Sequence, residues 1–226
     1  MIVAFLPCRL GSQRVPDKNI RSFAGIEGGL LKIKLDQLSN SKRIDKIVVS
    51  SNDPRVIDFA YKYRDSRVTI DERPDYLGRS STTTDELINY VPSIISEGHV
   101  LWTHVTSPFL SGNDYNRIIE RYFEALSCGY DSLMTVLRIQ GFIWNKKEPI
   151  SYSCNELKWP MTQNISPLFE VNSGAFVSSI NNYKKFNDRI GENPFLLEQE
   201  KSKSIDIDWP EDFELAEKLF NVYKSF

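Results

Sequence analysis

Thirteen residues near the start, Pro7-Cys8-Arg9-Leu10-Gly11-Ser12-Gln13-Arg14-Val15-Pro16-Asp17-Lys18-Asn19, gather three cations around a small flexible centre. The N–H groups of Gly11 and Ser12, the Ser12 hydroxyl, and Arg9, Arg14 and Lys18 are what a loop needs to wrap a polyphosphate. A solvated basic loop has the same composition. Near the other end stands Asp206-Ile207-Asp208. In a strand, residues i and i+2 face one side, so both carboxylates would point together. Two like charges that close are unfavourable unless a cation sits between them or one is protonated. Mg²⁺ takes one or two carboxylates plus substrate phosphates. An exposed strand edge that merely alternates polar and apolar residues fits the pair as well. Taken together, a cation-rich loop and an Asp pair are the parts a nucleoside triphosphate requires.

Other chemistry is sparse. Gly-x-x-x-x-Gly-Lys-Ser/Thr, Gly-x-Gly-x-x-Gly and His-Glu-x-x-His are all absent. His104 stands at a predicted strand end, before Thr106-Ser107-Pro108; a lone His there more often packs or hydrogen-bonds than acts as a base. Cys8, Cys128 and Cys154 are odd in number and form no zinc pattern, which reads as reduced thiols in the cytoplasm.

The elements that must hold these groups follow from hydrophobic period. Ile2–Leu6 and Lys46–Ser51 are short apolar runs of the buried parallel-strand type. Arg67–Ile70, His99–Val105, Asp131–Ile139, Gly174–Ser178 and Ser204–Asp208 are the further predicted strands. Helices are predicted over Leu30–Leu38, from Pro54 with Asp53 as its cap, through Leu87–Ile95, over Asn113–Leu126 with Ile118, Ile119, Tyr122 and Phe123 inward, and over Pro210–Tyr223. Pro92 is a potential kink. This alternation predicts one α/β domain over 1–226 with a doubly wound, mostly parallel sheet. Residues 141–171 break the rhythm with Trp144, Trp159 and three prolines, and read as an inserted arm. In such sheets ligands bind beyond the carboxyl ends of the strands, where the basic loop, Ser50–Asp53, Thr106–Pro108 and Asp208 all fall.

Composition bounds the rest. The chain has 226 residues, 41% hydrophobic and 26% charged, with 28 Lys+Arg against 30 Asp+Glu. A net charge of −2 argues against a protein that coats nucleic acid. No run of about 20 apolar residues suggests a membrane span, and the apolar start lacks the basic flank of a signal peptide.

The residues quoted above make the chain resemble the sugar-acid cytidylyltransferases, which include the acylneuraminate cytidylyltransferases. That family opens with a strand and then Pro-Ala-Arg-x-Gly-Ser-Lys-Arg-x-Pro-x-Lys-Asn, matched here at most positions of Pro7–Asn19. Val48-Val49-Ser50-Ser51-Asn52-Asp53, Arg73-Pro74 with Leu77, Thr106-Ser107-Pro108, Asn172-Ser173-Gly174-Ala175 and Ile205–Asp208 extend the likeness in order along nearly the whole chain. The resemblance implies a Rossmann-like nucleotidyltransferase fold and transfer of CMP from CTP to the anomeric hydroxyl of a 2-keto sugar acid, with release of pyrophosphate. It implies that Arg9, Gly11, Ser12, Lys18 and Asn19 hold the triphosphate, with Lys18, Arg9 and Asp208 in catalysis. It further implies Arg73 and Thr84 near the cytosine, His104, Thr106 and Asn172 near the sugar, and Asp206 and Asp208 on Mg²⁺. The 141–171 arm stands where the family has its dimerisation arm, so a homodimer is expected, and no nucleic-acid or membrane partner.

Some positions depart from the family pattern. His104 replaces a Gln that faces the sugar, Phe109-Leu110 stands for Leu-Arg, and Gly25–Leu31 is longer and lacks a Lys. Leu77-Gly78-Arg79-Ser80 replaces Leu-Ala-x-Asp. The changes gather where sugar and base edge should be read. They leave nucleotide activation in place and put the usual sialic acid substrate in question. The alternatives are a metal-dependent glycosyltransferase, a nucleotidyltransferase of another base, and a catalytically silent nucleotide-binding subunit. The first would carry its acidic pair mid-chain; the last would not be expected to keep Arg9, Lys18, Asp206 and Asp208.

Overall fold

The first strand sorts its side chains by parity. In β1 (Ile2–Cys8), Ile2, Ala4, Leu6 and Cys8 face one core, while Val3 and Phe5 face another. A strand buried on both faces reads as a continuous apolar run for this reason. The computed structural model describes residues 1–155 and 157–223. Within these, β1 pairs in parallel with β2 (Lys46–Ser51) and β4 (His99–Trp102), and β2 with β3 (Val68–Glu72). β6 (Leu168–Ser179) runs antiparallel between β4 and β5 (Ser132–Ile139), and β7 (Pro194–Glu198) closes the far edge parallel to β5. The seven-stranded order is β3-β2-β1-β4-β6-β5-β7.

Helices cover both faces, as a mostly parallel sheet requires. Helices α1 (Gly29–Ser39), α2 (Pro54–Tyr61), α4 (Gly112–Ser127) and α6 (Pro210–Tyr223) contribute to the larger core. The second core takes Leu87, Ile88 and Val91 of α3 (Thr84–Ile94), and Ile180 and Tyr183 of α5 (Ile180–Phe186). Pro92 lies inside α3. The mostly parallel α/β sheet expected from the sequence is the fold observed.

Four expectations need correction. Ser204–Asp208 is not a strand: a 3₁₀ turn at Lys201–Lys203 leads into irregular chain, tied to the sheet end where the Ile207 N–H donates to the Thr106 carbonyl (2.9 Å). Polar–apolar alternation alone does not supply a ladder partner. β4 stops at Trp102, so His104 and Val105 lie in the turn beyond it. Phe123 is 41% exposed and packs its edge on the His99 ring rather than facing inward. The stretch 141–171 read as an arm also holds the start of β6, because Leu168–Val171 pair with β5. Its Glu156, and the chain end beyond 223, lie outside the described residues. The short α5 and β7 were not anticipated: seven and five residues give too little periodicity to read.

The β5–β6 pair carries an irregularity that matters for the site. Met134 pairs with Phe176 and Val136 with Val171, so Asn172–Ala175 stands opposite Thr135 alone. The Thr135 hydroxyl holds this bulge, accepting from the Ala175 N–H (2.9 Å) and donating to Asn172 Oδ1. A Cβ at Gly174 would come within 2.9 Å of both Thr135 Oγ1 and Asn172 Oδ1, so the bulge leaves no room for a side chain. Bulges re-aim side chains; this one turns Ser173 toward Asp206, to which its hydroxyl donates at 2.6 Å.

Candidate active site

The carboxyl ends of β1 and β4, the N-terminus of α3, the β6 bulge and the chain before α6 enclose a cleft of about 410 Å³. That lies within the size range of small-molecule sites. Arg9, Ser12, Arg14, Lys18, Asn19 and Arg73 line one part of it. Thr82, Thr83 and Thr84 line another, and Trp102, His104, Thr106, Ser173, Asp206 and Asp208 complete it. Residues nearly two hundred positions apart in the chain thus meet in one concavity.

The basic loop is held in shape by its neighbours. Gly11 adopts a left-handed φ of 77°, which a side chain would resist. The Leu10 N–H donates to Asn52 Oδ1 (3.0 Å), and Asn19 Nδ2 donates to the Arg9 carbonyl (3.0 Å). Asp17, itself at φ 53°, pairs with Arg55 (2.7 Å), and Arg55 also pairs with the α2 cap Asp53 (2.9 Å). Asn19 therefore acts on the loop backbone, and Gly11 shapes the loop without lining the cleft. The Arg9 guanidinium donates to the Arg79 carbonyl at 3.2 Å.

Lys18 joins the two ends of the chain. Its Nζ donates to the Ile207 carbonyl (2.6 Å) and lies 3.5 Å from Asp208 Oδ1. Burial pushes its pKa down, against the attraction of Asp208 and Asp206. Asp208 also pairs with Arg14 (2.9 Å), whose guanidinium lies over the Trp209 ring. Asp206 differs: one oxygen accepts from Ser173 and the other, Oδ1, is buried with no hydrogen-bond partner. An orphaned buried carboxylate oxygen is costly and asks for a cation or donor. The described residues contain no cluster of three or more His, Cys, Asp or Glu that could hold a metal. The donor set therefore does not suit an all-protein cage such as structural zinc, and does suit an ion that completes its shell from substrate oxygens.

Arg73 is 5% exposed and anchored by donation to the Ser50 hydroxyl (3.1 Å) and carbonyl (2.7 Å); burial lowers its pKa. Thr84 opens α3, whose cap Thr83 forms a reciprocal pair with Glu86. The His104 Nε2 accepts from the Trp102 indole N–H at 2.8 Å. That bond fixes the tautomer with the proton on Nδ1. Burial, and then the Arg189 charge, push the His104 pKa down to about 4. Thr106 lines the cleft, but Asn172 does not. Asn172 is buried in the bulge, with its amide on Thr135, Gly174 and Ser204. Ser173, beside it, reaches the cleft instead.

Arg14, one of the three loop cations, lines the cleft and pairs with Asp208. One further residue escapes the sequence reading. Lys34 is fully buried beneath the Thr106–Pro108 turn, donating to the Ser107 carbonyl (2.7 Å) and the Tyr115 hydroxyl (2.6 Å). Burial pushes its pKa down to about 7, countered by Asp206. A signal was present, since Lys34 sits on the same helical stripe as Leu31 and Leu38.

A family model described as "Cytidylyltransferase" matches residues 3–225. A pseudaminic acid cytidylyltransferase of Campylobacter jejuni is 28% identical over 129 residues, so the match spans about half of each chain (54% of this one, 53% of the relative). A CMP-N,N'-diacetyllegionaminic acid synthase of Legionella pneumophila is 26% identical over 238 residues, covering 98% of this chain and 97% of that one. Among solved structures, a CMP:2-keto-3-deoxy-manno-octonic acid synthetase complexed with CTP superposes with a TM-score of 0.68 at 12% identity, covering 98% and 99%. A 4-diphosphocytidyl-2C-methyl-D-erythritol synthase from Anaerococcus prevotii gives 0.67 at 17%, covering 97% and 96%. At these identities the structural likeness speaks to the fold.

Proposed function

The chain belongs to the cytidylyltransferase family, and from that premise we propose that it transfers CMP from CTP to the anomeric hydroxyl of a 2-keto sugar acid of the nonulosonic type, releasing pyrophosphate for glycan assembly. One observation carries the reading. The Arg9–Lys18 loop and the Asp206/Asp208 segment meet in a single cleft, with Lys18 hydrogen-bonded to the chain between the two acids. Two relatives named for nonulosonic acids support that substrate class.

The anomeric hydroxyl oxygen attacks the α-phosphorus and gives its proton up to solvent, while the bond from that phosphorus to the β-phosphate bridging oxygen breaks and pyrophosphate leaves with that electron pair. Such displacements need positioning and charge neutralisation rather than a covalent enzyme intermediate. Arg9, Arg14 and Lys18 supply fixed positive charge, and Ser12 a hydroxyl, on the side of the cleft lined by the basic loop. Arg73, Thr84 and their neighbours form the part assigned to the nucleoside. His104, Thr106 and Ser173 border the acceptor. His104 is not suited to take the attacking hydroxyl's proton, because its Nε2 lone pair is already occupied by Trp102 and its basicity is low.

Mg²⁺ fits the donor set. Asp206, with its unpartnered buried oxygen, is the better-supported ligand; Asp208, shared by Arg14 and Lys18, is the second. Bound there, the ion supplies further neutralisation of the phosphates. We assign the enzyme to the cytoplasm, consistent with three unpaired cysteines, one buried and two exposed. We also assign it a homodimeric state through the arm. There Phe142, Trp144 and Trp159 are 42%, 47% and 67% exposed; Phe142 and Trp144 pack edge-on with Tyr152, and Trp159 edge-on with Phe142, the kind of aromatic surface that interfaces favour.

The test is pyrophosphate release from each of the four NTPs with Mg²⁺ and a panel of pseudaminic, N,N'-diacetyllegionaminic and N-acetylneuraminic acids. Release is expected with CTP and at least one acid. No release with CTP and any acid contradicts the assignment.

A further inference from the structure

One buried amine takes no part in the proposed reaction. Lys34 stands on the inward stripe of α1 with Leu31, Leu35 and Leu38, and is fully buried. An apolar side chain of that length would fill the space without the cost of burying a polar head. What Lys34 adds is two hydrogen bonds, and each begins a path to Asp206.

The first path runs through the turn after β4. Lys34 Nζ donates to the Ser107 carbonyl (2.7 Å), and one helical turn on, Gln37 Nε2 donates to the Pro108 carbonyl (2.6 Å). α1 therefore grips the Thr106–Pro108 turn at two points. The Thr106 carbonyl accepts from the N–H of Ile207 (2.9 Å), the residue after Asp206. The second path runs through hydroxyls. Lys34 Nζ donates to Tyr115 Oη (2.6 Å), Tyr115 Oη lies 2.9 Å from Thr103 Oγ1, and Thr103 donates to the Gly174 carbonyl (2.7 Å). Lysine has no acceptor, so this chain runs one way: with the Thr103 proton on Gly174, the Tyr115 hydroxyl donates to Thr103. Gly174 belongs to the β6 bulge, where Ser173 gives its hydroxyl to Asp206 (2.6 Å).

The side-chain bond from Ser173 and the backbone bond of Ile207 thus start from two segments that Lys34 ties together. Lys34, Thr103, Ser107 and Tyr115 are all buried, so a group that loses its partner here cannot turn to water instead. Asp206 is also the charged group that acts on Lys34.

We propose that Lys34 is a positioning residue: from behind the cleft it fixes the Thr106–Pro108 turn against the β6 bulge and so presents the Asp206 carboxylate to the metal ion. This assignment rests on the function and the Mg²⁺ ligands proposed above. Removing the amine takes a donor from the Ser107 carbonyl and releases the Tyr115 hydroxyl to reorient. The basic loop is held by other bonds, from Asn52 and Arg55, and keeps its shape.

The experiment titrates Mn²⁺ into the protein with CTP present and no acceptor acid. It reads the enhanced water-proton relaxation that protein-bound Mn²⁺ gives, for wild type, Lys34→Met, Lys34→Gln, Tyr115→Phe and Asp206→Asn. Lys34→Met is expected to weaken Mn²⁺ binding roughly 10-fold, the low end of the range for groups that orient metal ligands. Lys34→Gln, whose amide can still donate to Ser107, should recover part of the loss. Tyr115→Phe, which cuts only the second path, should lose less than Lys34→Met. In the pyrophosphate assay kcat should fall in step with Mn²⁺ affinity while KM for CTP stays at the wild-type value. Wild-type Mn²⁺ affinity in Lys34→Met and Tyr115→Phe overturns the assignment, and so does a raised KM for CTP with Mn²⁺ affinity unmoved. Should Lys34→Met fail to fold, Tyr115→Phe decides alone. If wild type itself takes up no Mn²⁺ with CTP, the metal assignment fails, and this inference with it. Uptake that Asp206→Asn abolishes and Lys34→Met leaves unmoved overturns only the role of Lys34.

Discussion

Asp206 and Asp208 stand two residues apart and do different work. Asp206 leaves a buried oxygen unpartnered, whereas Asp208 is held by Arg14 and Lys18. Asp206→Asn should therefore weaken Mn²⁺ or Mg²⁺ binding, measured by calorimetry with CTP present, more than Asp208→Asn does; the reverse order contradicts the ligand assignment. Both variants should lose turnover while keeping the wild-type circular dichroism spectrum. Lys18→Met should lower kcat by about 10²–10³-fold, the cost of removing one preorganised donor from a developing charge. His104 holds its pKa near 4 against 6.5 in an unfolded chain. Between those values the unfolded chain binds the extra proton. The contribution of His104 to stability is therefore complete above pH 6.5 and is lost as pH falls toward 4. Urea midpoints at pH 7 and 4.5 should fall further for wild type than for His104→Gln, and the kcat/KM profile should show no inflection near 6.5 from this residue. The charged residues of this site were legible in the sequence because loop cations and paired acids are conspicuous. Ser173 was not, because only the β6 bulge decides that it, and not Asn172, reaches the cleft.

At the scale of elements, two helices hold the site by different means. α3 presents Thr82–Thr84 to the cleft through a capping box on Thr83. Thr83→Ala should cost about 1 kcal/mol and raise KM for CTP several-fold. Ser111→Ala, at the matching capping box of α4 away from the cleft, should cost a similar amount with KM unmoved. Equal KM values for the two variants would separate α3 from nucleotide binding. α1 places Lys34 under the Thr106–Pro108 turn, with its pKa depressed to about 7 from 10.5. From pH 7 to 10.5 the unfolded chain keeps a proton that the native lysine has given up, so stability rises across that window. Lys34→Met should flatten the rise in chemical denaturation between pH 7 and 9.5. Strong apolar runs and caps made β1, β2, α2 and α6 readable to within a few residues. The Asp206–Asp208 segment misled, because its alternation is that of a strand while, among the described residues, its backbone tie to the β4 end is one bond to Thr106.

For the whole molecule, a net charge of −2 conceals an arrangement by position. The basic start and the acidic end fold onto one edge of the sheet, and Lys18 bonds across 189 residues to do so. That convergence followed from the parallel topology, since strand ends of one polarity gather on one side. The dimer surface could be read only as an aromatic interruption, and its partner is a second copy of this chain by proposal. Sedimentation should give twice the 26.1 kDa chain mass, and Trp159→Ala should shift the protein toward monomer. A wild-type monomer at micromolar concentration contradicts that assembly.

The central claim is transfer of CMP to the anomeric oxygen. Its most direct test is a single turnover of CTP with an acceptor acid carrying ¹⁸O at the anomeric hydroxyl, followed by mass spectrometry of the product. A CMP-sugar that retains the label between sugar and phosphorus is the predicted result. No CMP-sugar from CTP, or a product without the label while the unreacted acid recovered from the same mixture still carries it, contradicts it.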